Sequence, residues 1–494
     1  MIVKNSSLSV DTEKLRKKIL DLAIRGKLVP QDSQDEPASV LLEKIKAEKA
    51  QLIKEKKIKK SKPLPEITAE EKPFAIPERW KWVRLDDVGV ITSGGTPKRN
   101  VPEYWNSEDI PWITPAVMGK NKDKVFNGEF EYISEKGLAK SSAQLIKKNS
   151  IVFSSRAPIG YINIVPFDFT TNQGCKSFTG IDVYIDYMYY AIKHQVPYIE
   201  KNGSGTTFKE ISAAVFKSST VPLPPLAEQK RIVTKIEEYM QAIKVIEDSS
   251  KDYERLQSQL DKKVLDLAMR GKLVPQDNQD EPASVLLEKI KEEKAQLIKE
   301  KKIKKSKPLP EITAEEKPFE IPESWEWVRL GEIFDITSSK RVKKNEWKKR
   351  GIPFYRAREI VSISKNEKLK DPIFIDEETY KGKISVSGKP RGKDILITGV
   401  GTLGIPYIVK PNDKFYFKDG NIIWLKNYFE IIPEYIKYLL FCSYMRKEIN
   451  NGRGTTVATL TIVRANNLLI PLPPLAEQKR IVAKIEKIKQ YLKS

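Results

Sequence analysis

The sequence predicts an α/β (α+β) protein in which two dissimilar domains are separated by two long antiparallel coiled-coil helices, with circular pseudo-twofold symmetry. Three observations lead to this fold class. Residues 20–85 recur at 265–330 with only six substitutions. Residues 226–270 contain no proline or glycine and carry apolar residues at heptad spacing. The segments between the near-copies are rich in short, β-branched and aromatic runs typical of strands.

The repeats divide the chain into constant and variable parts. A second repeat, PLPPLAEQKRIVxKIE, begins at Pro222 and again at Pro471, and NGxGTT precedes it at 202–207 and 451–456. The segments 86–201 and 331–450 share little similarity. Constant parts indicate one scaffold or partner used twice, and variable parts indicate two different recognised targets. Recent duplication followed by sequence drift is the alternative, but drift would change the constant and the variable parts at similar rates.

The central constant part predicts a coiled-coil helix. Its seam, spaced alternately four and three residues apart, is apolar at nine of eleven positions. The seam comprises Ile232, Ile236, Tyr239, Ile243, Ile246, Ser250, Tyr253, Gln257, Leu260, Val264 and Leu267. Prolines 222, 224 and 225 precede the helix and Gly271 ends it.

The two chain ends repeat the two halves of this helix. The C-terminal copy carries Ile481, Ile485, Ile488 and Leu492, and the N-terminal copy carries Leu15, Ile19 and Leu22. Together they would form a second rod antiparallel to the first, which predicts neighbouring termini. Alternatively, the seam binds a helix of another protein.

Five regions follow from this division. They are an N-terminal helical region (1–75), a first variable domain (76–220), a central helical region (221–320, coiled coil 226–270), a second variable domain (321–469) and a C-terminal helix (470–494). A shorter helix is expected from Pro37, ending in the basic run KEKKIKKSK at 54–62 and again at 299–307. Such runs are usually solvated helix faces, and phosphate contact is the alternative.

The composition favours a polyanionic partner. Lys and Arg number 88 against 66 acidic residues, a net charge of +22, and nucleic acid is the commonest such partner. An anionic membrane is the competing interpretation, weakened because no apolar run approaches the roughly 20 residues needed to span a bilayer.

The remaining composition points to a reducing cytoplasm without soft-ligand metal chemistry. The N-terminus lacks a secretory signal, and Cys175 and Cys442 are too few and too distant to suggest a disulfide framework. His194, the single histidine, follows an apolar stretch and is interpreted as structural rather than catalytic. One histidine and two cysteines provide no cluster with zinc-ligand spacing.

The variable domains carry cationic loops suited to DNA. The stretch 151–165 predicts two strands joined by a turn that carries Arg156, and 395–409 aligns with it. Arg pairs with guanine, Asn or Gln with adenine, and Lys and hydroxyl groups with phosphate. The candidate contacts are Thr96, Lys98, Arg99, Arg156, Asn172 and Gln173 in the first domain, and Lys340, Arg341, Tyr355, Arg356 and Arg358 in the second. For any single residue, an ordinary surface role is the alternative.

These motifs resemble those of specificity (S) subunits of Type I restriction-modification systems, the HsdS family. The doubled PLPPLAEQKRIVxKIE after GxGTT resembles their conserved junction. The stretches TSGGTPKRNVPEYW…IPWIT and RGIPFYRAREI resemble the start of their target-recognition domains. The resemblance covers nearly the whole chain.

The resemblance implies a function that the spacing alone could not. Each target-recognition domain would read one part of a split, asymmetric DNA site, and the helices would set the gap and bind two methyltransferase (M) subunits. Restriction (R) subunits would complete the nuclease. S-adenosylmethionine, ATP and Mg²⁺ would be bound by those partners, and no cofactor by this chain.

An enzyme would carry motifs that this sequence lacks. No phosphate-binding loop or Asn/Asp-Pro-Pro-aromatic motif is found in the sequence. Gly399, Gly401 and Gly404 match GxGxxG, but IPYIVK after them reads as a strand, so a strand-to-strand turn is expected instead of a dinucleotide site. A stand-alone DNA-binding regulator and a coiled-coil assembly protein with two ligand-binding heads remain as alternatives.

Overall fold

A computed structural model describes residues 10–156, 158–204, 209–451 and 459–493. The chain forms two compact units, Ser9–Ser250 and Lys251–Ser494, and the boundary falls within the central helix, Leu226–Met269. The sequence predicted a helix over 226–270, and the observed bounds confirm it. Half of the first NGxGTT motif (205–207) and most of the second (452–456) lie outside the described residues.

Each unit mixes helices with short strands. The first contains helices Thr12–Ile24, Ala38–Lys54, Pro115–Met118, Glu135–Ala139, Ile185–Lys201 and Ala213–Ser218, and strands Lys81–Arg84, Gly89–Ser93, Ile110–Ile113, Glu131–Ile133, Ser150–Ser154, Ile162–Val165, Thr170–Thr171, Cys175–Gly180 and Thr220–Leu223. The second contains helices Ala283–Lys299, Leu330–Ile333, Ala357–Ser364, Glu377–Ser387, Pro433–Phe441, Ser443–Asn450, Ile462–Asn467 and Leu475–Lys493, and strands Glu326–Arg329, Asp335–Thr337, Ile352–Tyr355, Ile373–Ile375, Ile395–Thr398, Pro406–Ile408, Tyr416–Phe417, Ile422–Lys426 and Leu469–Leu472.

The two units have the same sheet topology although their variable segments differ in sequence. Numbered within each unit, the nine strands of the described residues form one sheet in the order 2-8-5-6, one in the order 4-3-7, and a separate pair of strands 1 and 9. The 2-8-5-6 sheet is antiparallel throughout, and strands 3 and 7 are parallel. We call the segments between strands 1 and 9 the first head (residues 85–219) and the second head (residues 330–468).

Each head is attached through its two-stranded sheet to the constant frame. In the first unit, Trp80 Nε1 donates to Glu228 Oε2 at 2.9 Å, and the Tyr187 hydroxyl donates to the Pro222 carbonyl at 2.8 Å. In the second, Trp325 donates to Glu477 at 2.8 Å and Tyr435 to Pro471 at 2.7 Å. Because these polar groups are buried, the hydrogen bonds are needed to avoid a desolvation cost.

An antiparallel helix pair lies in each unit. In the first, Arg16 of helix Thr12–Ile24 forms a 3.0 Å ion pair with Glu247 of the central helix, and Gln31, beyond that helix, reaches Glu228 at 2.5 Å. In the second, Gln257 of the central helix donates to the Leu492 carbonyl at 3.5 Å, and Gln276 donates to Glu477 at 2.6 Å. Residue numbers rise along one helix as they fall along the other, so both pairs are antiparallel.

The heptad seam is buried at the two ends of the central helix and exposed in its middle. Ile232, Ile236 and Ile243 are buried, as are Ile481 and Ile485 of the C-terminal helix. Leu260, which the spacing grouped with them, is 43% exposed, and Tyr239, Ile246 and Tyr253 are exposed too. In the second unit the partner helix, Leu475–Lys493, ends beside Gln257, which donates to the Leu492 carbonyl, so Tyr253 and Leu260 lie near the end of the covered seam.

The glycine predicted to end the central helix does so. Gly271 has φ +68°, and a Cβ there would lie 2.4 Å from Cγ of Pro322. Its counterpart Gly26 has the same φ and the same distance to Pro77. Both positions need glycine for the left-handed backbone after the helix and for the close approach of the proline.

Candidate nucleic-acid interface

In the first head, the glycine-rich loop after strand Gly89–Ser93 lies against the loop before strand Cys175–Gly180. A Cβ on Gly94 would lie 1.8 Å from the Asn172 carbonyl oxygen, so the two loops touch only because that side chain is absent. Thr96 Oγ1 lies 2.5 Å from Gln173 Oε1, and Asn172 Oδ1 accepts from the Gly174 amide at 3.0 Å. Thr96, Asn172 and Gln173 are thus brought together.

Arg99 is held by aromatic and acidic neighbours. Its guanidinium carbon lies 3.8 Å from the ring centroid of Trp105 and 4.8 Å from that of Trp112, and it forms an ion pair with Glu131. Lys98 has an exposed side chain, and its carbonyl accepts from Trp105 Nε1 at 3.2 Å. Exposed ion pairs contribute at most about 1 kcal/mol, so Arg99 can exchange Glu131 for a phosphate at low cost.

The turn between strands Ser150–Ser154 and Ile162–Val165 carries Arg156, as the sequence predicted. Arg156 Nη2 lies 3.0 Å from Glu210 Oε2, and both side chains are partly exposed. Ser155, just before it, is buried and lies 3.2 Å from the Nζ of Lys176.

Lys176 was not among the sequence candidates. It lies within strand Cys175–Gly180 and is 5% exposed, and its Nζ also donates to the Gln173 carbonyl at 3.2 Å. Burial lowers the pKa of Lys176 below the ordinary value of lysine, although Glu210 opposes the shift. No sequence pattern marks a lysine in a strand as buried, and only comparison with the matching strand of the other head would have found it.

In the second head, the structure separates the five candidates. Lys340 and Arg341 have exposed side chains on the loop after strand Asp335–Thr337. Tyr355 stacks on Phe415, with ring centroids 4.9 Å apart, and burial raises its pKa.

Two of the second head's cations share one buried acid. Arg356 Nη2 lies 2.5 Å and Arg358 Nε 2.7 Å from the same Oε1 of Glu359, which is 2% exposed. Burial alone would raise the pKa of Glu359, but the hydrogen bonds from both arginines bring it below its ordinary value. Arg356 is mostly buried against this acid, whereas Arg358 is half exposed. Arg358 is therefore the better placed of the two to reach DNA.

The GxGxxG segment and the two basic runs were also interpreted from the sequence. The GxGxxG segment joins strands Ile395–Thr398 and Pro406–Ile408, so it is a strand-to-strand turn as predicted. The basic runs were expected to be helix faces, and this is wrong. The helices end at Lys54 and Lys299, because the chain turns at Lys56 and Lys301 with φ of 56° and 58°.

His194 packs between helices, as its structural interpretation requires. Its Nε2 lies 3.4 Å from Asp21 Oδ1, its ring meets Phe74 edge-on at 5.8 Å, and burial lowers its pKa. Within the described ranges, no cluster of three His, Cys, Asp or Glu side chains could hold a metal ion. Nor does any helix of the described chain have the length and apolarity to cross a bilayer.

Comparison with known proteins assigns the fold and the motifs to one family. The family model for the Type I restriction modification DNA specificity domain matches residues 77–252 and 322–493. The chain belongs to this family of Type I specificity proteins.

Individual relatives agree with the family model. The chain is 32% identical to the Type I restriction enzyme EcoAI specificity subunit of Escherichia coli, over 97% of this chain and 89% of that protein. It is 30% identical to the EcoEI specificity subunit of the same species, over 98% and 90%. A solved structure from work on complex assembly and conformational transition of the type I R-M system shares the fold, with a TM-score of 0.56 and 20% identity over 85% of this chain and 92% of that one.

Proposed function

We propose that this chain is the DNA-reading subunit of a Type I restriction-modification complex, with each head reading one half of a split, asymmetric site. The observation that carries the proposal is that one sheet topology presents two different sets of loop side chains. Thr96, Gln173 and Arg156 stand on the first head, and Lys340 and Arg341 on the second. Two dissimilar sets of contacts on one frame fit two dissimilar half-sites.

We further propose that the helical regions bind two methyltransferase subunits and that catalysis belongs to those subunits and to the restriction subunits. The duplicated frame supports two equivalent docking positions, since 60 of 66 residues are the same in both copies. S-adenosylmethionine, ATP and Mg²⁺ would then be bound by the partners, and the complex would work on DNA in the cytoplasm. The two recognition domains are assigned to 76–220 and 321–469, and the helical regions to 1–75, 221–320 and 470–494.

Exposed apolar residues on the central helix support such docking. Tyr253, Leu256 and Leu260 are each 43–58% exposed and are spaced three and four residues apart, so they share one face. A contiguous apolar face on an otherwise polar helix is typical of a protein interface.

The test is methylation mapping after co-expression with a cognate methyltransferase subunit. We expect methylated adenines in a two-part motif with a fixed gap, and exchange of the first head should change only one part. A continuous motif, or no methylation with a methyltransferase verified to be active with another specificity subunit, would overturn the proposal. A stand-alone regulator would instead bind its site tightly without any partner.

A further inference from the structure

Lys176 carries a buried positive charge that forms no ion pair: Glu210 is close enough to favour the charge but pairs with Arg156 instead. Its Nζ donates to the Ser155 hydroxyl and to the carbonyls of Gln173 and Cys175, at 3.2, 3.2 and 3.4 Å, and all three acceptors are neutral. Among the described residues, no carboxylate oxygen lies within 4.0 Å of the Lys176 Nζ. Residues 205–208, which precede Glu210 in the sequence and lie outside the described residues, include no acid. A buried ammonium group that forms no ion pair normally costs stability.

The fold does not need this lysine. Lys176 pairs with Phe153 across the sheet, and the matching pair in the second head is Ile423 with Ile397. Ile423 is 3% exposed, so the same strand position holds an ordinary core residue in the other head. Ser155, which accepts from Lys176, likewise has a glycine, Gly399, as its counterpart. The charge is thus a feature of the first head alone.

The lysine connects the loops that carry the first head's candidate contacts. Through the Gln173 carbonyl it holds the loop whose Gln173 side chain meets Thr96. Through Ser155 it holds the turn whose next residue, Arg156, pairs with Glu210. One ammonium group therefore fixes two loops relative to each other, directly beneath their exposed polar side chains.

We propose that Lys176 is a specificity-determining positioning residue of the first head: it holds the 172–174 loop and the 154–156 turn for contact with DNA, and the phosphates of bound DNA add to the attraction of Glu210 for its charge. The proposal rests on the DNA-reading function proposed above. It explains why the first head retains a charge that the second head replaces with isoleucine, since the cost in stability is offset further when the polyanion is bound.

The test compares Lys176→Met and Lys176→Ile with Lys176→Arg and with a matched control in the second head, Ile423→Met. Each chain is assembled with the cognate methyltransferase subunit and titrated with the split-site duplex mapped for the wild-type complex, at several salt concentrations. Thermal unfolding of each chain is measured alongside. Lys176→Met removes the ammonium group and keeps the length of the side chain, which guards against a failure of Lys176→Ile to fold.

For Lys176→Met we expect an affinity on the order of tenfold lower, a salt dependence less steep by about one phosphate contact, and relaxed methylation in one half of the site only. Its unfolding temperature should be unchanged or higher. Lys176→Arg should retain the salt dependence, and Ile423→Met should leave the first half-site unaffected.

Three outcomes would overturn the inference. They are wild-type affinity and salt dependence in Lys176→Met, a loss of binding that only parallels a loss of thermal stability, or an equal loss at both half-sites. If the wild-type complex itself neither binds nor methylates a split site, the proposed function fails. If the wild type does so and Lys176→Met matches it, only the inference about Lys176 fails.

Discussion

The exposed middle of the heptad seam leads to a prediction that separates folding from docking. Leu256→Ala and Ile481→Ala both shorten an aliphatic side chain in the second unit. Ile481 is 0% exposed, so its truncation should cost about 2–5 kcal/mol of unfolding free energy. In a unit of this size that lowers the unfolding temperature by roughly 5–15 °C. Leu256 is 56% exposed, so its truncation should change stability by less than about 0.5 kcal/mol.

For binding of a methyltransferase subunit we expect the opposite order, with Leu256→Ala weakening the complex more than Ile481→Ala. Burying a whole leucine side chain contributes about 1.5–3 kcal/mol, so covering the exposed half of Leu256 contributes roughly 1 kcal/mol, or about a fivefold change in Kd. Combined truncation of Tyr253, Leu256 and Leu260 to alanine should weaken binding by about a hundredfold or more, with additivity holding only approximately because the three are neighbours.

Two measurements check this prediction. Scanning calorimetry of the chain alone gives the stability of each variant, and sedimentation with a cognate methyltransferase subunit gives its affinity. If Leu256→Ala lowers the unfolding temperature as much as Ile481→Ala, Leu256 is part of the core. If the triple variant binds the methyltransferase subunit as the wild type does, this face is not the docking surface.

Three further perturbations follow from buried polar groups. Burial raises the pKa of Glu228 above its ordinary 4.5, so this site adds stability as pH falls through its folded pKa toward 4.5. Glu228→Gln should flatten the pH dependence of urea unfolding on the acid side of neutrality, and an unaltered slope would refute this. Burial lowers the pKa of His194, so its contribution to stability is present above the unfolded pKa of about 6.5 and is lost on acidification. His194→Cys introduces the residue found at the matching position 442 of the second unit and should remove that loss of stability. Unfolding of the first unit at pH 7.5 and 5.5 measures the effect. Arg84 is 3% exposed and donates to Glu71 and to carbonyls of the 65–66 segment, so Arg84→Lys should cost about 2–4 kcal/mol and speed proteolysis of that segment. Equal cleavage rates would show that Arg84 does not hold this segment.

The frame of this fold is predictable from sequence because its signals are local or repeated. The proline-free heptads from Leu226 and the glycine at 271 define the central helix, and the strand-turn-strand around Arg156 is evident from residue types alone. Near-identity of the two constant regions indicates that their environments match, as the twin bonds of Trp80 and Trp325 confirm.

What the sequence could not provide depends on contacts between distant residues. Heptad spacing treats Leu260 like Ile236, because it holds no information on where a partner helix ends. Arg356 reads as a free cation until Glu359, three residues on, is found buried against it. Lys176 in a strand reads as an exposed alternate residue, and only the register shared with Ile423 shows that it points into the core.

The two-stranded sheet at the base of each head has a consequence for how such proteins change over generations. In the first unit the chain enters the head through Lys81–Arg84 and leaves it through Thr220–Leu223, and these strands are paired residue by residue. Entry and exit therefore lie side by side, and the second head is bounded by an equivalent pair. A foreign head needs only to supply a strand end that fits this ladder and a tyrosine hydroxyl for the Pro222 carbonyl. Because nearly identical residues flank both heads, we expect that recombination can exchange a head whole, which would give a new DNA specificity while the scaffold stays unaltered.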